Sequence, residues 1–305
     1  MKDFKNKVAL ITGAGSGLGK ELAIEAHKRG MRLFLADINE ETVSQTVLEI
    51  RKTGGIAEYC VTDVSSEDGV NKMIDEAMSK YGQIDLLINN AGIARGGSIV
   101  DLPARDWEWC IHVNCLSQVY AMKRVIPIMN AQKTPCHIVN MASSAGLITI
   151  ERMPAYAATK HFVVGLSESI CYDLQSEKSK IKISVICPGF MKTNLYKSEE
   201  RRPERFKDSE DPFYKSEKFS KLEKNTKKFI NQGESLDGFG KFVFDEIEKD
   251  KFYILPHKSI KTVIQHRLNN IVKERTPNLD FYRAAYKFGE GDKSLKNLLT
   301  ILKLK

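Results

Sequence analysis

From residue 7 onward the chain alternates short apolar runs with stretches whose apolar residues recur at helical spacing, and few folds accept that alternation. A short apolar run suits a strand buried on both faces, and the longer periodic stretches suit helices that cover it. Repetition of the pair generates βαβ units with right-handed crossovers. The predicted fold class is therefore α/β, a single doubly wound (Rossmann-type) domain with a seven-stranded parallel sheet. The spacing predicts strands near 8–11, 32–35, 57–60, 85–88, 137–140, 182–185 and 252–255. It predicts helices at about 17–29, 40–53, 67–80, 105–130, 156–177 and 236–249, with one more near 258–274.

Residues 196–228 break the rhythm with 11 basic and 8 acidic side chains, two prolines and isolated aromatics. A long charged excursion beside a cleft is more plausibly a gate than a linker. We divide the chain into a Rossmann-type main domain over 1–256, carrying a lid insertion over 196–232, and a C-terminal helical extension over 257–305.

Hydrophobic residues make up 42% of the 305 and charged residues 28%, which supplies a sizeable core and excludes general disorder. The net charge is +8, and residues 241–305 hold 14 basic against 8 acidic side chains. Because acids are interspersed, a solvated helical surface explains that excess as well as an anionic partner does. No recognised nucleic-acid module accompanies it, so no nucleic-acid partner is expected. Six cysteines without a Cys-x-x-Cys pair, most of them in apolar stretches, read as reduced core residues. Six scattered histidines lack metal-ligand spacing, and no metal is expected. Met1-Lys2-Asp3-Phe4-Lys5 shows no secretory apolar region and no stretch is long enough to span a bilayer. A cytoplasmic protein without stable membrane association is the expectation.

The first strand ends in Thr12-Gly13-Ala14-Gly15-Ser16-Gly17-Leu18-Gly19, and a helix begins at once. Unencumbered amides at a helix N-terminus can face a pyrophosphate, although flexible loops share this composition. Eighteen residues beyond Gly19, Asp37 ends the second strand, where a carboxylate can accept hydrogen bonds from both adenosine ribose hydroxyls. Its charge would repel a 2′-phosphate and no cation follows it, which favours NAD over NADP. The competing reading of Asp37 alone is an N-cap of the helix after it.

Tyr156-Ala157-Ala158-Thr159-Lys160 places a phenol and an ammonium one helical turn apart on one face. A nearby cation favours the phenolate and would make the tyrosine a competent acid/base near neutrality. The same spacing occurs on many helices as a surface pair.

Taken together, Thr12 to Gly19, Asn89-Asn90-Ala91-Gly92, Ser143 thirteen residues before Tyr156, Lys160, and Pro188-Gly189 occur in the order and spacing of the short-chain dehydrogenase/reductase family. The chain resembles that family over about residues 5–195. The resemblance implies that Tyr156 exchanges a proton with the substrate oxygen and that Ser143 hydrogen-bonds the same atom. Lys160 would lower the Tyr156 pKa and bind the nicotinamide ribose, and Asn114 would kink its helix and hold a water linking Lys160 to solvent. For the cofactor it implies contacts from Gly13, Ser16, Gly17, Leu18, Gly19, Asp37, Asp63, Val64, Asn90, Ala91, Gly92, Pro188, Gly189 and Thr193. Ser144, a second hydroxyl beside Ser143, leaves an alternative for the serine.

The resemblance also places a helical substrate lid after Thr193, with an inner face of Leu195, Tyr196, Phe206, Phe213 and Tyr214. Walls near Ser143 at Ala145, Gly146, Leu147, Ile148, Ile150 and Met153, together with Phe190, are apolar and suggest a hydrophobic small-molecule secondary alcohol or ketone. The long helices at 105–130 and 156–177 resemble the family's subunit interface, with Trp107, Trp109 and Phe162 as interface or core residues, so a homodimer or homotetramer is expected. The tail could cover the site, extend an interface or touch an anionic membrane. The competing reading is an idle nucleotide-binding sensor or scaffold on the same fold.

Overall fold

A computed structural model describes residues 1–208 and 210–287. The part of the predicted C-terminal extension beyond Lys287 lies outside the described residues.

Seven strands form one parallel sheet: β1 Val8–Thr12, β2 Arg32–Asp37, β3 Ala57–Val61, β4 Leu86–Asn89, β5 Cys136–Met141, β6 Ile181–Ile186 and β7 Tyr253–Ile254. Their order is β3-β2-β1-β4-β5-β6-β7. Every predicted strand is present, with β7 reduced to two residues at the sheet edge.

β1 shows why the runs are continuously apolar. Leu10 joins Phe34 and Leu87 in the core on one face, and Ala9 and Ile11 join Leu33, Leu35, Leu86 and Ile88 on the other. Successive side chains point to opposite faces, so a sheet covered on both sides must be apolar at every position.

Helices α1 Gly17–Lys28, α2 Glu40–Lys52 and α3 Glu67–Tyr81 supply the first crossovers. Asn39 and Ser66 cap α2 and α3 through their side chains, so the N-cap role proposed as an alternative for Asp37 belongs to Asn39.

The helix predicted at 105–130 is divided. α4 Ala104–Ile111 passes through a wide π turn over His112–Leu116 into α5 Ser117–Gln132, and Asn114 sits in that turn. Single π turns inside α-helices recur at functional sites. α6 Pro154–Ser176 starts with proline in its first turn, where the missing N–H has no intrahelical partner to lose.

α8 Phe239–Glu248 packs on α1 and precedes β7. The excursion contains a helix, α7 Glu217–Asn231, capped by Ser216. Beyond the sheet lie α9 Ile260–Val272 and a second helix that the sequence reading missed, α10 Leu279–Lys287. Phe281 of α10 is buried and stacks on His266 of α9 with ring centroids 3.7 Å apart. Among the described residues no helix is long and apolar enough to cross a membrane.

Strand order reverses between β1 and β4, and in such sheets the crevice at the carboxyl ends of the strands beside the reversal receives ligands. The glycine turn, Asn90 and Ser143 all follow the ends of strands on that edge.

Candidate active site

A cavity of about 900 Å³ opens at the carboxyl edge of the sheet. It is lined by Gly13, Ser16, Gly17 and Leu18 after β1, Asp37 after β2, Asp63 and Val64 after β3, and Asn90, Ala91 and Gly92 after β4. The same cavity is lined by Ser143, Tyr156, Lys160, Pro188, Gly189 and Thr193. Residues separated by most of the domain in sequence therefore share one space.

The glycine turn is shaped by contact as well as by conformation. Gly13 has φ of +66°, and a β-carbon there would lie 2.8 Å from Ala91 Cα. Gly19 faces inward, where a β-carbon would meet Gly13 O at 2.1 Å. It makes the turn tight and is not among the residues that line the cavity. Asn90 braces the turn by donating from Nδ2 to Thr12 O at 2.9 Å and to Gly13 O at 3.1 Å.

This turn fits an anionic group. α1 has no acidic residue in its first turn and no side-chain cap, whereas α2 and α3 begin with Glu40-Glu41 and Glu67-Asp68 and are capped. The N-terminus of α1 thus keeps its positive end free toward the cavity. Asp37 accepts from Gly15 N at 2.9 Å and Asn39 N at 3.1 Å, which holds its carboxylate at the end of β2.

At the other end, Lys160 Nζ donates to Met141 O at 3.0 Å and lies 5.6 Å from the Tyr156 ring centroid. Burial lowers the Lys160 pKa to about 8. Burial also raises the Tyr156 pKa above its usual 10, while the neighbouring Ser143 hydroxyl favours the phenolate. The Lys160 ammonium is not among the groups that shift the phenol here; loss of water dominates, and the Ser143 hydroxyl is what acts against it.

Ser143 Oγ accepts from Ala145 N at 3.2 Å and donates weakly to Pro188 O at 3.4 Å. Ser144 also lines the cavity, and its amide donates to Pro188 O at 2.7 Å. Asn114 lies behind the wall, not on it. Its Oδ1 accepts from Ile93 N at 2.9 Å, and its Nδ2 donates to Ile93 O and to Thr159 Oγ1 at 3.0 and 3.1 Å. It ties the segment after Gly92 to α6 and so positions Lys160 at one remove.

Residues 7–204 match the short chain dehydrogenase family. The chain belongs to that family. It is 45% identical over 279 residues to the CLA biosynthesis dehydrogenase/reductase of Lactiplantibacillus plantarum, covering 92% of this chain and 98% of the relative. Cyclohexanol dehydrogenase of Acinetobacter sp. is 37% identical over 193 residues, 63% of this chain and 76% of that enzyme. A short chain dehydrogenase/reductase from Burkholderia phymatum, solved in complex with NAD, superposes with a TM-score of 0.87 at 34% identity. That likeness covers 91% of this chain and 98% of the other.

Within this short chain dehydrogenase, Met153, Phe190 and Leu195 line the cavity as predicted. Leu147 does not; it packs beside Val163 and Val164, because the short helical turn over Ser144–Gly146 aims it away. Ala145 and Ile148 are likewise buried outside the cavity lining. Tyr196 is also misplaced in the sequence reading. It lines a separate shallow depression with Glu200 and Lys227, whose Nζ lies 5.5 Å from its ring centroid. Phe206 is buried in the main core, while Phe213 and Tyr214 pack on Phe219 and on each other. Trp109 is a fully buried core residue, not an interface residue.

The walls that sequence reasoning missed come from α7 and α10. Leu222 and Phe229 of α7 and Leu279 and Tyr282 of α10 line the cavity, and Arg283 clasps Glu151 with contacts of 2.8 and 3.0 Å. The helical spacing of Phe219, Leu222 and Phe229 was the available signal, obscured by intervening lysines.

A buried cluster fixes the base of the excursion. Asp106 of α4 accepts from Arg95 Nε at 2.9 Å, from Tyr214 OH at 2.7 Å and from Arg202 Nη2. Arg202 also lies 4.4 Å over the Trp109 ring. Farther along, Arg205 Nη1 pairs with Asp63 Oδ2 at 2.9 Å.

Proposed function

We propose that this chain is an NAD-dependent oxidoreductase that interconverts a hydrophobic secondary alcohol and its ketone. The observation that carries the reading is the shared cavity: Ser143, Tyr156 and Lys160 line the space that the glycine turn and Asp37 also line. Hydride chemistry belongs to the nicotinamide group when it is bound, and the chain supplies orientation and proton movement.

In this reading Ser16, Gly17 and Leu18 hold the pyrophosphate, Asp37 the adenosine ribose hydroxyls, and Asp63 and Val64 the adenine. Asn90, Ala91 and Gly92 form the nucleotide wall, Lys160 holds the second ribose, and Pro188, Gly189 and Thr193 flank the carboxamide. Asp37 favours NAD, since a second anion beside it would meet its charge directly.

Tyr156 gives its phenolic proton to the ketone oxygen, or receives the proton of the alcohol in the other direction. Ser143 hydrogen-bonds the same oxygen and steadies its changing charge. Met153, Phe190 and Leu195, joined by Leu222 and Phe229, give the substrate an apolar bed. The relative that acts on cyclohexanol supports a cyclic or aliphatic alcohol by analogy. The exposed side chains of Phe162 and Tyr172 on α6 offer the face for the expected homo-oligomer, and a cytoplasmic setting completes the reading.

The test is a panel of aliphatic, cyclic and aryl-alkyl secondary alcohols and ketones, followed by NADH absorbance, with Tyr156→Phe as control. Turnover of at least one member that Tyr156→Phe lowers by about 100-fold or more supports the proposal. Turnover that survives the loss of the phenol, or NADH binding without turnover of any member, rejects it in favour of another acid/base or an idle sensor.

A further inference from the structure

Of the three closely spaced arginines in the segment after Thr193, two are paired with carboxylates. Arg202 is locked to Asp106 and Glu199, and Arg205 to Asp63, with Ser65 beside it. Arg201 is not so paired. Its Nη2 donates to Asn194 O at 3.1 Å, and its Nε, like that of Arg202, is buried without a partner. Among the described residues no carboxylate forms an ion pair with it. Burial lowers its pKa, with Asp37 the foremost charge acting against that shift. A half-buried guanidinium whose buried Nε lacks an acceptor gains when an anion arrives to meet it.

Its location says which anion. Arg201 lines the large cavity together with Ser16, Gly17 and Asp37. Asn194, which accepts its hydrogen bond, follows Thr193, whose Cβ lies 3.4 Å from where a β-carbon of Gly17 would stand. The guanidinium is thus tethered beside the N-terminus of α1. Among the described residues three other cations line the cavity, and each lies elsewhere: Lys160 on Met141 O, and Arg152 and Arg283 beside Glu151.

The glycine turn itself offers only neutral amides, and Asp37 adds a negative charge near them. Taking the cavity as a dinucleotide site, we propose that Arg201 binds the dinucleotide pyrophosphate from the lid side, opposite the amides of Ser16, Gly17 and Leu18. The anchors at Arg202 and Arg205 on the same segment hold it ready, so little freedom is lost when the anion is met. A phosphate on the adenosine ribose fits less well, because the Asp37 carboxylate, held at the end of β2 by Gly15 N and Asn39 N, would repel it.

Calorimetric titration of the full chain with ADP, adenosine, NADH and NADPH tests this, using Arg201→Ala and Arg201→Lys. Arg201→Ala is expected to weaken ADP and NADH roughly 10- to 100-fold and to leave adenosine unchanged, as loss of a charge-assisted hydrogen-bond pair predicts. Arg201→Lys should recover part of the ADP affinity, with steeper dependence on salt than Arg201→Ala. Unfolding temperatures without ligand report whether each variant keeps the fold. Equal losses for adenosine and ADP, undiminished ADP binding, or a loss confined to NADPH would each overturn the assignment. An unmodified protein that binds neither ADP nor NADH would instead overturn the dinucleotide reading on which it rests.

Discussion

Lys160 Nζ reaches from α6 to the carbonyl oxygen of Met141 at the end of β5, 3.0 Å away, and this bond anchors an ammonium that is almost wholly withdrawn from water. The pKa falls from 10.5 to about 8 as a result.

The sign of that fall fixes a stability prediction. Between pH 8 and 10.5 the unfolded chain binds more protons at this residue than the folded one, so its destabilising effect is full below pH 8 and fades toward pH 10.5. Lys160→Met should therefore stabilise the ligand-free protein near pH 7, by up to about 3 kcal/mol, while destroying turnover. Urea unfolding of both proteins across this range checks it. A variant less stable than the unmodified chain at pH 7, or a difference that grows with pH, would contradict the account.

Ser143 and Ser144 both line the cavity and both bond Pro188 O, Ser143 through its hydroxyl and Ser144 through its amide. Only the Ser143 hydroxyl acts to lower the Tyr156 pKa, which gives it the role in the function we propose. Ser143→Ala is expected to lower kcat by about 100-fold, and Ser144→Ala to leave it within about threefold. The reverse ranking in steady-state kinetics would transfer the role.

In the function we propose, Asp37 sets the cofactor preference through its charge. Asp37→Asn should raise kcat/KM with NADPH and lower it with NADH, narrowing the ratio by about tenfold, equivalent to ~1.4 kcal/mol. Equal efficiency with both cofactors in the unmodified protein would remove the carboxylate from this role.

The wholly buried Asp106 carboxylate serves two buried arginines. Asp106→Ala leaves both without their shared partner and should destabilise the fold by about 3–5 kcal/mol, measured by denaturant midpoint. It should also raise KM for NADH by loosening the segment that carries Arg201. A loss below about 1 kcal/mol would show that water or rearranged acids satisfy the arginines.

At the cavity mouth, the Arg283 clasp on Glu151 joins α10 to the loop before α6. The pair is part-exposed, so Arg283→Ala should change stability by no more than about 1 kcal/mol. Its expected effect is on KM for the bulkier ketones of the panel, with Tyr282 and Leu279 freed to move. A KM unchanged for every panel member would detach α10 from substrate binding.

The sheet was legible because continuous apolar runs such as Val8–Thr12 admit one environment, burial on both faces. The glycine turn and the Ser143, Tyr156 and Lys160 positions were legible because their spacing carries a geometric requirement. Other features depended on tertiary context. Helical periodicity runs unbroken through Asn114, so a π turn that costs one intrahelical register leaves no trace in apolar spacing. Leu147 and Met153 look equally apolar, and only the short turn after Ser143 sends one away from the cavity. Likewise Arg201, Arg202 and Arg205 are one chemical type in the sequence. Which of them meets a carboxylate is decided by Asp106 and Asp63, contributed by distant segments.

Five of the six cysteines are buried and all six are free thiols. Burial pushes Cys60 to about 11 and Cys110, Cys115 and Cys187 to about 12, so these sulfurs stay protonated and shielded while the fold is closed. A thiol-specific alkylating reagent would accordingly act as a clock for breathing of the domain: Cys171 labels first, and each further alkylation marks a moment when the interior opened to solvent.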